Sequence, residues 1–370
     1  MLDIFGDAAL LRAACRFEAA LARAQAVEGL LTVEDAEAIA QVCEQPGIEV
    51  EKIAREAAHA GTLAIPLVRH LREQLADQTR ADKLHMGATS QDLADTALML
   101  QARDASALLE ADLRTICDNL ASLATRHAST PLLGRTLLQG ALPTTFGLRA
   151  AQWLLGAHAA RIRLAREGTL AFQLQLGGAV GTLAGLNGKG LKVAQRMAHD
   201  LGLGCSLLPW HVRRDSIAGL GTALAIVCGA LAKIARDVSL MSQNGIAEAS
   251  EPLSHGRGGS SAMPHKRNPT GCQVALSAAV RAPQLAATLL AAMPQEEERG
   301  LGGWQAEAPG LADLYAITHG AIRALLPVTA DLTIDTAKML ENMRAVGVGA
   351  DTGEAEALVQ RALHHYRDNG

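Results

Sequence analysis

The chain has 370 residues, of which 49% are apolar, 19% charged and only 2% aromatic, and its formal net charge is −4. That apolar share excludes a disordered chain, and at roughly 150 residues per domain the length allows two or three units or one large helical one. Lys and Arg, 34 together against 38 Asp and Glu, nowhere run longer than two in a row. The counterion-displacing patch of a nucleic-acid binder is therefore missing.

At the start of the chain, Met1-Leu2-Asp3-Ile4-Phe5-Gly6-Asp7 lacks the basic and apolar regions of a signal peptide. Cys15, Cys43, Cys117, Cys205, Cys228 and Cys272 show no C-x-x-C spacing and read as free thiols of a reducing compartment. A cytoplasmic location is the expectation. Proline punctuates helices, and three long stretches lack it: 67–130, 144–208 and 210–251. They are rich in Ala, Leu, Arg, Gln and Glu, the strong helix formers.

Within 92–123, Leu93, Ala97, Leu100, Ala107, Leu108, Ala111, Ile116 and Leu120 recur at helical spacing. Segment 216–247 is apolar on most faces, which places it inside a bundle. A helix of thirty residues runs about 45 Å, so such helices are expected to pack against partner chains. The most apolar stretch, Ala218 to Ala232, is interrupted by Gly219, Gly221 and Gly229 and followed by Lys233 and Arg236. It is expected to fall short of the roughly 20 apolar residues of a membrane span. The fold class is all-α, as a long-helix bundle.

Two regions break the helical pattern. Residues 175–190 are glycine-dense, but a phosphate loop needs Gly at 183 and Ser or Thr at 190, where Leu183 and Gly190 stand. A tight interhelical loop is expected instead. The second region, Gly258-Gly259-Ser260-Ser261-Ala262-Met263-Pro264-His265-Lys266-Arg267-Asn268-Pro269, gathers a hydroxyl, an ammonium and an amide between glycines and prolines. Glycine permits unusual backbone angles, and proline stiffens the second half. By composition alone this reads equally as a polar surface loop.

GSSAMPHKRNP resembles the GSSxMPxKxNP signature of the fumarase/aspartase superfamily. Members add or remove a proton and a nucleophile across the carbon–carbon bond beside a carboxylate. By that resemblance Ser260 is the proton-transfer residue, and Lys266 and Asn268 hold the substrate carboxylate and the charge that builds on it. Preorganised donors of this kind are worth about 10²–10³ in rate each. Ser261, Met263 and Arg267 fall in the substrate-binding loop.

His85-Met86-Gly87-Ala88-Thr89-Ser90-Gln91-Asp92 resembles a second family block, in which Thr89, Ser90 and Gln91 bind a carboxylate ahead of a helix. The same residues read structurally as an N-cap cluster, with Ser90 or Asp92 opening a helix at 93. Both readings can hold together. A third block, Gly134 to Gly147, resembles GRTHxQxAxPTTFG and contributes Arg135, Thr136 and Gln139 to substrate binding. The histidines that many relatives carry there are replaced by Leu137 and Gly140.

That loss argues against adenylosuccinate and argininosuccinate lyases. The text HMGATSQDLADTAL, GRTLLQGALPTTFGL, PWHVRRD and RGLGGWQAE resembles the 3-carboxy-cis,cis-muconate cycloisomerases, over most of residues 3–345. Such a resemblance implies lactone closure by carboxylate addition, in which little general acid is needed because the leaving group of the reverse reaction is a carboxylate. It also implies a small tricarboxylate substrate bound by several cations, Lys266 and Arg214 first, then Arg267 and Arg135. No cofactor and no metal are expected; His364-His365 lacks ligand spacing.

A homotetramer with active sites shared among chains follows from the same resemblance. Segments 1–88, 89–308 and 309–370 would be an N-terminal helical domain, a central bundle and a shortened C-terminal part of one or two helices. Two alternatives stay open: a lyase of the adenylosuccinate/argininosuccinate type releasing fumarate, and a helical scaffold without activity. His85, His211 and His265 are further titratable candidates. Glu248 and Glu251, three apart, read as a solvated helix end.

Overall fold

The computed structural model describes residues 1–75, 77–253, 256–263 and 266–369. In chain order these form α1 (Leu2–Phe5), α2 (Asp7–Val27), α3 (Val33–Glu44), α4 (Val50–Ala60), α5 (Ala64–Gln74), α6 (Gln78–Ala81) and α7 (Ser90–Arg126). A hairpin of β1 (Pro131–Thr136) and β2 (Gln139–Thr145) leads into α8 (Phe146–Ala171). Then come β3 (Gln173–Leu174), α9 (Gly190–Leu201), β4 (Gly204–Cys205), α10 (Asp215–Met241) and β5 (Ala249–Ser250). The chain closes with α11 (Thr270–Ala291), α12 (Gly303–Ala330), β6 (Thr333–Ile334), α13 (Thr336–Val346) and α14 (Ala355–Asp368). The strands pair only two by two: β1 with β2 and β5 with β6 antiparallel, β3 with β4 parallel. The all-α expectation holds, with short ribbons at the helix joints.

Local chemistry explains where the helices end. Thr32 accepts from Asp35 N at 3.1 Å to open α3, and Asp335 accepts from Lys338 N at 2.8 Å to open α13. Gly202 and Gly347 close α9 and α13 at φ +64° and +75°, where a residue without Cβ carries no penalty. Past residue 309 the chain finishes α12 and adds two further helices, α13 and α14.

The chain divides into two compact units: residues 1–106, 167–220 and 287–315, and residues 107–166, 221–286 and 316–370. The core of the first centres on Phe17, Leu21, Ile39, Leu67, Leu71, Leu84 and Leu93, all nearly solvent-free. Ala14, Ala24, Ala36 and Ala40 let α2 and α3 approach closely. In the second, Leu113, Ile116, Phe146, Trp153, Val227, Leu231 and Leu325 are buried. Fully burying one such side chain contributes about 1.5–3 kcal/mol. The buried Trp153 keeps its Nε1–H satisfied on Asp237 at 2.7 Å.

One expectation needs correction. Asp215–Met241 and Thr270–Ala291 are long and apolar enough, by length and composition, to cross a membrane. The glycines of α10 do not shorten it; Gly219, Gly221 and Gly229 all lie within the one helix Asp215–Met241. Leu220, Leu224, Val227, Leu231, Ile234 and Val238 are at most 1% exposed, buried against the protein itself.

Candidate active site

Three sequence blocks carry the candidate residues other than Arg214; the 85–92 block and Arg214 lie in the first unit, the 134–147 hairpin and the 256–269 loop in the second. The loop leaves β5 and enters α11, and Pro264 and His265 lie outside its described residues. Its two ends are pinned together. Asn268 N donates to Gly258 O at 2.7 Å and Asn268 Nδ2 to Gly259 O at 3.2 Å. Gly258 stands at φ +74°, and a Cβ there would lie 2.8 Å from Asn268 O, so only glycine fits this closure.

Inside the loop the Ser260 hydroxyl oxygen accepts from Met263 N at 3.1 Å and Ala262 N at 3.4 Å. Hydrogen bonds of this kind favour the deprotonated oxygen over the neutral one. Ser261, Met263, Lys266 and Arg267 are exposed, while Ser260 and Asn268 are half-buried. Lys266 N donates to Met263 O at 3.0 Å. The loop base is held by Glu251, which accepts from Gly271 N at 3.0 Å and Cys272 N at 2.7 Å at the start of α11. A carboxylate there satisfies free helix donors and meets the positive end of the helix dipole.

In the first unit, Thr89 caps α7. Asp92 Oδ2 accepts from Thr89 N at 2.9 Å, and Leu93 N donates to Thr89 O. The helix therefore opens at Ser90, and the cap is Thr89 rather than Ser90 or Asp92. Asp92 lies three residues inside, reaching back as in a capping box. The same buried carboxylate accepts from Gly177 N and Gly178 N, both at 2.9 Å, and faces His211 Nε2 at 2.7 Å. The glycine-dense stretch is thus an interhelical turn clamped by one acid. His211 is 2% exposed and structural.

Gln91 is also buried, with Nε2 donating to His211 O at 3.0 Å and to Asp95 at 3.2 Å. It braces the interior, so of its block only Thr89 and Ser90 present hydroxyls toward the surface. Thr89 Oγ1 accepts from Arg299 Nη1 at 2.7 Å, a cation the motif comparison passed over.

Of the arginines chosen from sequence, Arg267 is exposed, whereas Arg214 and Arg135 are tied up by carboxylates of the protein. Arg214, 2% exposed, makes two 2.8 Å bonds to Asp95, bonds Glu307 as well, and lies 4.9 Å over the Trp210 ring. Burial opposes its charge, but Asp95 and Glu307 outweigh that and hold its pKa above the ordinary value. Burial also pushes the Glu307 carboxyl up, against the pull of Arg214. Arg135 pairs bidentately with Glu248 at 2.8 Å and 2.8 Å, and Asn342 donates to the same carboxylate at 2.9 Å. This overturns the solvated-face reading of the glutamates. Glu248 is fully buried because Arg135 neutralises it, and Glu251 caps α11.

Thr136 and Gln139 are exposed and close the tip of the hairpin, with Leu137 and Leu138 between them as a two-residue turn. Leu137, which stands at the histidine position of the GRTHxQxAxPTTFG pattern that this block resembles, is 96% exposed. Among the described residues no group of three or more His, Cys, Asp or Glu is placed to hold a metal ion.

Ser90 opens instead onto a cavity of about 460 Å³ lined by Ala64, Ile65, Val68, Arg69, Arg72, Glu73, Gln78 and His85. His85 Nδ1 meets the buried Glu18 at 2.6 Å. Burial works against protonating it, but Glu18 outweighs that and raises its pKa. Neither α5 nor Glu18 stands near Ser90 in sequence, and no motif marks them.

Residues 1–283 match a protein-family model described as a lyase. The 3-carboxy-cis,cis-muconate cycloisomerase of Bradyrhizobium diazoefficiens is 46% identical over 351 residues, 92% of this chain and 78% of that protein. A nitrosuccinate lyase of Streptomyces davaonensis is 39% identical, covering 98% of this chain and 81% of its own. In three dimensions, the 3-carboxy-cis,cis-muconate lactonizing enzyme of Pseudomonas putida superposes with a TM-score of 0.92 at 36% identity, covering 99% of this chain and 96% of that one.

Proposed function

The chain belongs to this lyase family, and from that membership we infer that it is a cycloisomerase closing 3-carboxy-cis,cis-muconate to 4-carboxymuconolactone. One substrate carboxylate oxygen bonds to the diene, and the electron pair of the attacked double bond moves to the carbon beside a second carboxylate. Ser260 delivers its proton to that carbon. The serine oxygen is then reprotonated from solvent, so the reaction takes up one proton and loses one negative charge.

Supporting this reading is the loop geometry: two backbone donors already face Ser260 Oγ. Lys266 adds a cation and Asn268 fixes the loop, and together they stabilise the charge that develops beside the carboxylate. Thr89 and Ser90, at the capped start of α7, bind a second carboxylate, with Arg299 beside them. Arg214 and Arg135 act from behind as positioning residues. With no histidine at 137 or 140, lactone closure suits the site better than expulsion of a poor leaving group.

The reading includes a homotetramer in the cytoplasm, each active site drawing the three blocks from different chains, and keeps segments 1–88, 89–308 and 309–370 as its working domains. Incubating the purified protein with 3-carboxy-cis,cis-muconate and following the conjugated-diene absorbance tests it. The absorbance should fall with one lactone formed per diene lost. An inert mixture, with fumarate released from a succinyl-type substrate instead, would move the protein to an eliminating lyase.

A further inference from the structure

A substrate with three carboxylates needs three anion sites. The loop around Lys266 supplies one and Thr89–Ser90 another. Two of the cations nominated for the third are not available in the folded chain. Arg214 faces two carboxylates, Asp95 and Glu307, and Arg135 is matched by Glu248. Yet Ser90 shares its cavity with two arginines three residues apart on α5, a spacing that puts both on one helix face.

We propose that Arg72, with Arg69 and His85 beside it, holds the third carboxylate of the substrate in the cavity next to Ser90 and so selects tricarboxylates over dicarboxylates. Arg72 donates to a backbone carbonyl, Leu84 O, at 2.9 Å, and among the described residues it forms no ion pair within 4 Å. No ion pair therefore holds its charge, and the one carboxylate lining the same cavity, Glu73, lies beside Arg69. Arg69 is shared with Glu56 at 2.5 Å and lies 3.9 Å from Glu73, so it assists rather than leads. His85 has Nδ1 committed to Glu18 while the ring borders the cavity. Its backbone is held at φ +65°, a conformation uncommon outside glycine and frequent at ligand sites. Ala64, Ile65 and Val68 give the same cavity an apolar wall for the carbon chain of the ligand.

The inference rests on the cycloisomerase reading, and its test separates the two. Arg72→Gln, checked for unchanged helicity, should raise KM for 3-carboxy-cis,cis-muconate by about tenfold or more while kcat moves little, as expected for a lost charge-assisted bond. Arg72→Lys should recover part of the loss, because it keeps the charge but not the fork. Calorimetry with two unreactive probes gives a readout without turnover. The parent should bind propane-1,2,3-tricarboxylate more tightly than pentanedioate, and Arg72→Gln should abolish that difference. A parent that turns over the muconate and a variant with unchanged KM and unchanged discrimination would overturn the role of Arg72 alone. A parent inert toward the muconate overturns the cycloisomerase reading, while the calorimetry still decides whether Arg72 selects three carboxylates.

Discussion

Ser260 illustrates what a single side chain needs from its neighbours. A serine hydroxyl is a poor acid or base in water, and here two peptide N–H groups already point at its oxygen. Ser260→Ala removes the proposed proton carrier and leaves the loop closure through Gly258 and Asn268 untouched, so turnover should drop by about 10²–10⁴-fold with helicity unchanged. Near-normal turnover in that variant would remove the residue from the chemistry. The Glu18–His85 pair carries a second expectation. Because the folded pKa of His85 is raised, its contribution is complete below the unfolded value near 6.5 and fades as pH climbs through the folded one. Glu18→Gln should therefore lower stability by about 1.5–3 kcal/mol at pH 5.5 to 6 and by less at pH 9, measured as denaturant midpoints. An equal loss at both pH values would contradict the linkage. The loop and the capping block were legible in sequence because short motifs carry them, although the cap itself is Thr89 and not Ser90 or Asp92. Arg214 was not, since its partners Asp95 and Glu307 lie 119 and 93 residues away, and charge type alone cannot tell a ligand for substrate from an internal strut.

Among the elements, the long helices were readable from proline-free gaps and apolar spacing: 92–123 became Ser90–Arg126, and 216–247 became Asp215–Met241. The β1–β2 hairpin was not, because its turn lacks the usual chemistry. Leu137 and Leu138 occupy φ +52° and +65°, where Asn-Gly is favoured and an ordinary L-residue costs roughly 1–2 kcal/mol. Replacing the pair by Asn-Gly should raise the denaturant midpoint by an amount equivalent to about 1–3 kcal/mol. No gain would mean that the leucines make compensating contacts. Glu248 was misread for a related reason: it is followed by a two-residue strand, not by a helix end, and its partner Arg135 stands 113 residues earlier.

For the whole molecule, α11 is the most telling element. It keeps Pro283 in its interior and leaves Val280 74%, Leu290 48% and Val274 45% exposed. A helix with that much bare aliphatic surface fits the proposed tetramer better than an isolated chain. Val280→Asp should shift the sedimentation coefficient toward smaller species, with lower activity if sites are shared; an unchanged tetramer would place the contact elsewhere. The interleaving of the two units reaches further. Each is stitched from three separate stretches, so the chain passes from one to the other five times, at 106, 166, 220, 286 and 315. No cut between those points releases either half intact, and half-gene exchange with a relative would leave both cores mismatched. Exchange of loops or single side chains leaves both three-part units whole, whereas any single crossover divides at least one of them.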